Sequence, residues 1–250
     1  MYTGRVDATA YLARIGADRS DPLDVLVERH LRAVPFENLS IHLGEGIVLG
    51  PESLYDKIVT RRRGGFCHEL NGAFAWLLRE LGHEVTLLGA RVAGEGEFTA
   101  PLAHVALRVV DDGVSTLVDV GFGRFGVGPI DLTAPSPRLV PAEDGDLDVL
   151  GPAGETGYRL ELHPRRREDF EPTCFWQSTH PDSWFTRVPL CSLPVDDGRV
   201  TMQGTTLLRT SGDGTRTEEQ LGEQEALDAY RDLFGIELDH LPRVLHPQGG

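Results

Sequence analysis

With 250 residues the chain can bury a sizeable core, as one large domain or as two to three lobes. Its 39 acidic against 24 basic residues give a net charge of −15, which argues against a nucleic-acid or anionic-membrane surface, so an anionic ligand must meet local arginines. The three cysteines, Cys67, Cys174 and Cys191, form no metal-type spacing and no even framework, and the amino terminus lacks an apolar signal core; a soluble chain in the reducing cytoplasm is expected.

In chain order, Asp7 caps a short helix carrying Tyr11, Leu12 and Ile15 and stopped by Gly16. Asp21 as cap and Pro22 at the first position predict a second helix with Leu23, Leu26, Val27, His30, Leu31 and Val34 inward, ended by Pro35. After a loop, Pro51 opens a third helix with Leu54, Tyr55, Ile58 and Val59. It leads into residues 61–71, Arg-Arg-Arg-Gly-Gly-Phe-Cys-His-Glu-Leu-Asn, where an amphipathic helix begins. Leu70, Phe74, Leu77, Leu78 and Leu81 fall at helical spacing and Gly82 supplies the stop, so Cys67 lies in the first turn on the buried face. A lone cysteine there is usually a small core residue. The glycine pair upstream and the polar Cys-His-Glu step favour a nucleophile instead, and the partial positive charge of a helix start predicts an eased thiol ionisation.

A nucleophile needs a base. Beyond Gly82 the period changes to two, with strands predicted at 85–92, 104–110 and 115–120. Asp112-Gly113 is a favoured hairpin turn, and it pairs Val105 with Val120, Leu107 with Val118 and Val109 with Thr116. On the opposite face His104 and Asp119 become diagonal neighbours; a turn at Asp111-Asp112 would set them directly opposite. Taken singly, a surface histidine and a turn-capping aspartate would account for them. Taken with Cys67 they predict a Cys67–His104–Asp119 constellation in which the imidazole activates the thiol and the carboxylate orients the imidazole.

Residues 121–126 match Gly-x-Gly-x-x-Gly, but a dinucleotide motif must open a helix, and here Gly128-Pro129 and a proline-rich acidic loop follow. A ligand-access loop fits better, with Phe122 as an apolar wall and Arg124, with Gly123 and Gly126, as candidate cofactor contacts. Further strands are predicted at 158–162, 174–177, 185–188, 199–202 and 205–208, continuing an antiparallel barrel or sheet, with Cys174 and Cys191 as inert packing residues. A helix at 223–234 stops at Gly235. The run at 165–167 reads as a solvated turn, and no ligand set has zinc-type spacing, so no metal is expected.

At this point the sequence resembles the arylamine N-acetyltransferases, whose signature Arg-Gly-Gly-x-Cys-x-Glu-x-Asn matches Arg63, Gly64, Gly65, Cys67, Glu69 and Asn71. Pro35-Phe36-Glu37-Asn38, the His104 strand and Asp119-Val-Gly-Phe-Gly extend the likeness over most of the chain. The resemblance implies an α+β fold of three parts: a helical bundle over 1–82, an antiparallel β-barrel over 83–190 and an α/β lid over 191–250, with a cysteine-protease-like core. It implies Cys67, His104 and Asp119 as triad. It also implies a double displacement, in which the thiolate takes an acetyl group from acetyl-CoA and passes it to an aromatic amine, hydrazine or hydroxylamine. Phe36, Phe66 and Phe122 are the candidate acceptor-pocket residues, and the Cys67 backbone N–H a candidate oxyanion donor. Two alternatives stay open: an amide synthase of the same family that closes macrolactams from a carrier-bound acyl chain, and a thiol hydrolase of the papain or transglutaminase type.

Overall fold

A computed structural model of the chain describes residues 6–94 and 96–245. Helix α1 (Ala8–Ile15) is capped by Asp7, which accepts the Thr9 N–H at 2.9 Å, and is ended by Gly16 in the left-handed region. Helix α2 (Leu23–Ala33) starts one residue later than the sequence predicts, because the Asp21 carboxylate closes a turn on the Asp18 N–H at 2.8 Å and extended Pro22 becomes the N-cap. The loop that follows contains a two-residue strand, β1 (Phe36–Glu37), and a single helical turn, α3 (Leu39–His42). Helix α4 (Pro51–Tyr55) runs into a π-helical turn, Asp56–Thr60, in which Lys57 and Ile58 are buried. At the centre stands α5 (Cys67–Glu80), whose Leu70, Phe74, Leu77 and Leu78 pack with Tyr11, Leu26 and Ile58. Each such side chain taken from water contributes about 1.5–3 kcal/mol.

Seven antiparallel strands follow: β2 (Glu84–Val92), β3 (His104–Asp111), β4 (Val114–Asp119), β5 (Val127–Asp131), β6 (Leu139–Pro141), β7 (Leu147–Leu150) and β8 (Thr156–Arg165). Their order is β5-β4-β3-β2-β8-β7-β6. The sheet curls into a barrel-like wall, since Leu88, Ala106, Leu117, Val127, Val149 and Leu160 from six strands share one core. The opposite face of β3 and β4, through Val105, Leu107, Val109 and Val118, joins the helical core. The hairpin has the predicted register, with Leu107 opposite Val118 and Val109 opposite Thr116. Asp112 and Gly113 both take positive φ, as a tight hairpin turn requires. That register sets His104 and Asp119 on the barrel side.

The sequence reading of 174–177 and 185–188 as strands does not hold. Residues 174–177 lie in helix α6 (Glu171–Thr179), which has Pro172 in its first turn, and Cys174 and Gln177, three apart, form its buried stripe. Residues 184–186 form a 3-10 turn capped by Ser183. The last layer contains β9 (Leu190–Val195), β10 (Gly198–Gln203), β11 (Thr206–Thr210) and β12 (Arg216–Gln220), with β1 at one edge of the sheet. Helix α7 (Glu223–Phe234) covers it through Ala226, Tyr230 and Phe234 and stops at Gly235 as expected. Among the described residues no helix is long and apolar enough to cross a membrane.

Candidate active site

The loop before α5 is threaded so closely that its two glycines are obligatory. A Cβ on Gly64 would stand 1.9 Å from the Pro35 carbonyl oxygen, and one on Gly65 would stand 2.7 Å from Glu69 Cβ. Below the loop lies a cluster of four buried charges. Lys57 Nζ meets Glu69 at 2.7 Å and Glu37 at 3.7 Å, and Arg63 meets Glu37 at 3.0 Å. Glu37 also accepts the Leu39 N–H at 2.6 Å, and Glu69 accepts the Phe66 N–H at 3.2 Å, which caps α5. Burial would raise the Glu37 carboxyl, but Lys57 and Arg63 outweigh it and hold it below the usual carboxylate range; Glu69, with Glu37 nearby, stays raised by its burial. The cluster fixes where α5 begins, and therefore where Cys67 stands.

Cys67 is the first residue of α5 and is only 4 % exposed. Its Sγ lies 3.7 Å from the Ala103 carbonyl oxygen, and Gly121 is pressed onto it, since a Cβ there would sit 2.9 Å from Cys67 Cα. Ala103 directly precedes His104, and Gly121 follows Asp119 by two residues, so the three predicted residues converge on one spot. His104 Nε2 is 2.7 Å from Asp119 Oδ2, with both side chains buried. The other carboxylate oxygen, Oδ1, accepts from Asn71 Nδ2 at 2.8 Å and from the Gly121 N–H at 2.9 Å. Burial would raise the Asp119 carboxyl; the His104 ring and these donors hold it below the ordinary range. An ionised Asp119 accepting from Nε2 places the ring proton there and leaves Nδ1 as the basic nitrogen.

Asn71 is the residue the sequence reading left without a role. One helical turn beyond Cys67, it donates to the Val105 carbonyl at 2.7 Å as well as to Asp119, and its Oδ1 accepts the Val120 N–H at 3.0 Å. A single amide therefore rivets α5 to β3 and to the end of β4. The i, i+4 spacing from Cys67 was legible, but the partners were not.

The predicted easing of Cys67 ionisation is reversed in the resting protein. Burial pushes the thiol up and the Asp119 charge adds to it, outweighing the His68 and Val105 backbone N–H groups that favour the thiolate. Cys174 and Cys191 are buried too; burial pushes the Cys174 thiol up to about 12 and raises that of Cys191.

Phe122 stands edge-on to His104, with centroids 5.3 Å apart, and packs on Tyr158, whose ring is 4.8 Å from the imidazole. Phe36 lies over Gly123, where a Cβ would be 3.0 Å from its ring, and Gly126 is closed against Leu31. Arg124 is exposed, its guanidinium 5.9 Å from the Phe122 ring. Phe66 is sealed in the helical core against His68 and Phe185. Phe122 thus borders His104 directly, Phe36 reaches it through the 121–126 loop, and Phe66 is the buried N-cap residue of α5. Tyr158 and Gln177, unassigned from sequence, also border the site; the amide of Gln177 donates to the Ala103 carbonyl oxygen at 2.7 Å.

The profile of the N-acetyltransferase family matches residues 21–243. The chain is 36 % identical over 258 residues to the arylamine N-acetyltransferase of Mycolicibacterium smegmatis, covering 94 % of each. It is 32 % identical to human arylamine N-acetyltransferase 1, covering 98 % of each. The solved structure of the M. smegmatis enzyme superposes with TM-score 0.83 at 34 % identity, over 94 % of this chain and 93 % of that one. The Mycobacterium marinum enzyme, solved in complex with CoA, superposes with TM-score 0.81 at 33 % identity, over 92 % of this chain and 93 % of that one.

Proposed function

The chain belongs to the arylamine N-acetyltransferase family of acyltransferases, and on that premise we propose that it carries an acetyl group from acetyl-CoA to an arylamine, hydrazine or hydroxylamine through a Cys67 thioester. The observation that carries the reading is the 2.7 Å His104–Asp119 contact beside a buried thiol at the start of α5. His104 Nδ1 takes the Cys67 proton, and the thiolate attacks the thioester carbonyl. Ionised Asp119 stabilises the imidazolium, which favours the transfer against the burial that raises the thiol. The Cys67 N–H, at the helix start, stabilises the developing oxyanion. The coenzyme leaves as a thiol with the proton returned by His104.

In the second half His104 accepts a proton from the attacking amine as the carbon–sulfur bond breaks. Donor and intermediate are both thioesters, so the acyl group keeps its activation between halves. Phe122 and Phe36 give the acceptor ring apolar surface, and Phe66, packed on His68 and Phe185, holds the start of α5 in place. Gly123 and Gly126 let their loop lie on Phe36 and Leu31, which presents exposed Arg124 to an anionic part of the donor. The CoA complex of the Mycobacterium marinum relative supports that donor class, and three unpaired thiols fit a reducing cytoplasm.

Incubation with acetyl-CoA alone is expected to add one acetyl group at Cys67, read by intact mass and peptide mapping, and an aniline or hydrazide is expected to remove it. Cys67→Ser remains unmodified. An unmodified wild-type protein that accepts only long acyl thioesters contradicts the acetyl donor. Rapid loss to water without amine contradicts the transferase reading.

A further inference from the structure

Helix α6, far from α5 in sequence, sends one buried polar side chain to the candidate site. Gln177 is 7 % exposed, and its Nε2 donates at 2.7 Å to the Ala103 carbonyl oxygen, the same atom that the Cys67 thiol faces at 3.7 Å. The backbone of Gln177 is held as well, its carbonyl accepting from Ser183 Oγ at 2.6 Å. The bond to Ala103 fixes the amide orientation, because the reversed amide would oppose two oxygens. Gln177 Oε1 is therefore a definite acceptor, and it is buried with no hydrogen-bond partner. A buried acceptor left unpaired costs about 1–3 kcal/mol, a cost that a bound donor removes.

The two reagents of the proposed reaction differ in what they can offer that oxygen. A thiol brings one hydrogen, and His104 takes it. A primary amine or hydrazide brings two on the attacking nitrogen. We propose that Gln177 Oε1 accepts the second N–H of the acceptor, making Gln177 a specificity-determining residue that turns the nitrogen lone pair toward the acetyl carbon of acetyl-Cys67. The proposal rests on the reading above. In the step itself the nitrogen lone pair forms the C–N bond, the C–Sγ bond breaks with its electrons going to sulfur, one N–H proton passes to His104 and then to the thiolate, and the other N–H stays on the amide product, still bonded to Gln177.

Gln177 also touches the acetyl-enzyme through Ala103. When Cys67 is acetylated its S–H is gone, and Nε2 keeps the Ala103 carbonyl satisfied. Gln177→Met, close in length but without amide, thus removes the acceptor and also alters the stability of the acetyl-enzyme. Comparing two acceptors on the same acetyl-enzyme cancels the latter effect.

The full-length protein is acetylated with acetyl-CoA, desalted, and followed by intact mass as it is discharged by benzhydrazide, by aniline or by CoA thiol. In Gln177→Met, discharge to the two nitrogen acceptors is expected to slow about 10- to 100-fold relative to discharge to CoA, with acetylation of Cys67 within a few-fold of wild type. N-methylaniline, with a single N–H, should lose far less than aniline in the variant. Equal slowing toward amine and thiol, no slowing, or failure of the variant to be acetylated while wild type is acetylated each overturn the inference and assign Gln177 a structural role. If the wild-type protein takes no acetyl group, the function reading falls with it, which the first step of the experiment reads separately.

Discussion

Two buried polar groups flank the start of α5, and they are built to different ends. In the cluster of Glu37, Lys57, Glu69 and Arg63, each carboxylate meets at least one cation and one backbone N–H. In the group of Cys67, His104, Asp119 and Asn71, the carboxylate and the amide are as fully engaged, while the sulfur has only a long contact to the Ala103 carbonyl beside the His68 and Val105 backbone N–H groups, and the imidazole is held through Nε2. The closed cluster resists change and so fixes a position. The open group can gain and lose a proton without orphaning a partner. Burial alone does not distinguish support from chemistry; the spare capacity in the hydrogen-bond inventory does.

Asp119→Asn strikes the open group at its anchor and should have the largest effect. It keeps the shape but lets the imidazole adopt the wrong tautomer, and acetylation of Cys67 is expected to fall about 10³- to 10⁴-fold with the fold intact by circular dichroism. A loss below about tenfold would mean that His104 does not depend on it. Lys57→Met strikes the closed cluster instead. It leaves Glu37 and Glu69 without their shared cation, so denaturant melts should show about 3–5 kcal/mol lost. Near-wild-type stability would contradict the supporting role.

Acid sharpens the contrast through the sign of the shifts. Glu37 and Asp119, one from each group, are held below their unfolded values, so their stabilisation is present above about pH 4 and is lost as pH falls through their folded values. His30 and His68 belong to neither group; burial holds them down at about 3 and about 4. The unfolded chain takes up their protons near pH 6.5 and the folded one does not, so stability falls by about 1.4 kcal/mol per pH unit for each between about pH 6.5 and 4. Melts at about pH 7, 6 and 5 read this loss, and a flat profile would contradict it. Smallest of all, Cys174→Ser should leave Cys67 acetylation within about twofold and cost about 1 kcal/mol or less. A larger loss of activity would draw Cys174 into the chemistry.

What could be read beforehand was what repeats along the chain. The helical period fixed α5, and the strand period with Asp112-Gly113 fixed the hairpin that carries His104 and Asp119. The strand assignment of 174–177 failed because four residues, two of them aromatic, carry no usable period, and the proline that opens α6 lies just outside that window. The Lys57–Glu69 and Arg63–Glu37 pairs, the reach of Asn71 into two strands and the approach of Gln177 to Ala103 all join residues distant in the chain, and nothing local encodes them. The thiol prediction failed for a related reason. A helix terminus can be seen in sequence, whereas the depth of its burial is a property of everything packed around it.

The dipeptide β1 belongs to all three layers. Phe36 pairs with Ser192 at the sheet edge, bridges Gly65 ahead of α5 and covers Gly123, while Glu37 sits among the buried cations. A C-terminal layer fastened in this way cannot swing outward as a hinged flap without either unzipping β1 from β9 or pulling Glu37 away from Lys57 and Arg63.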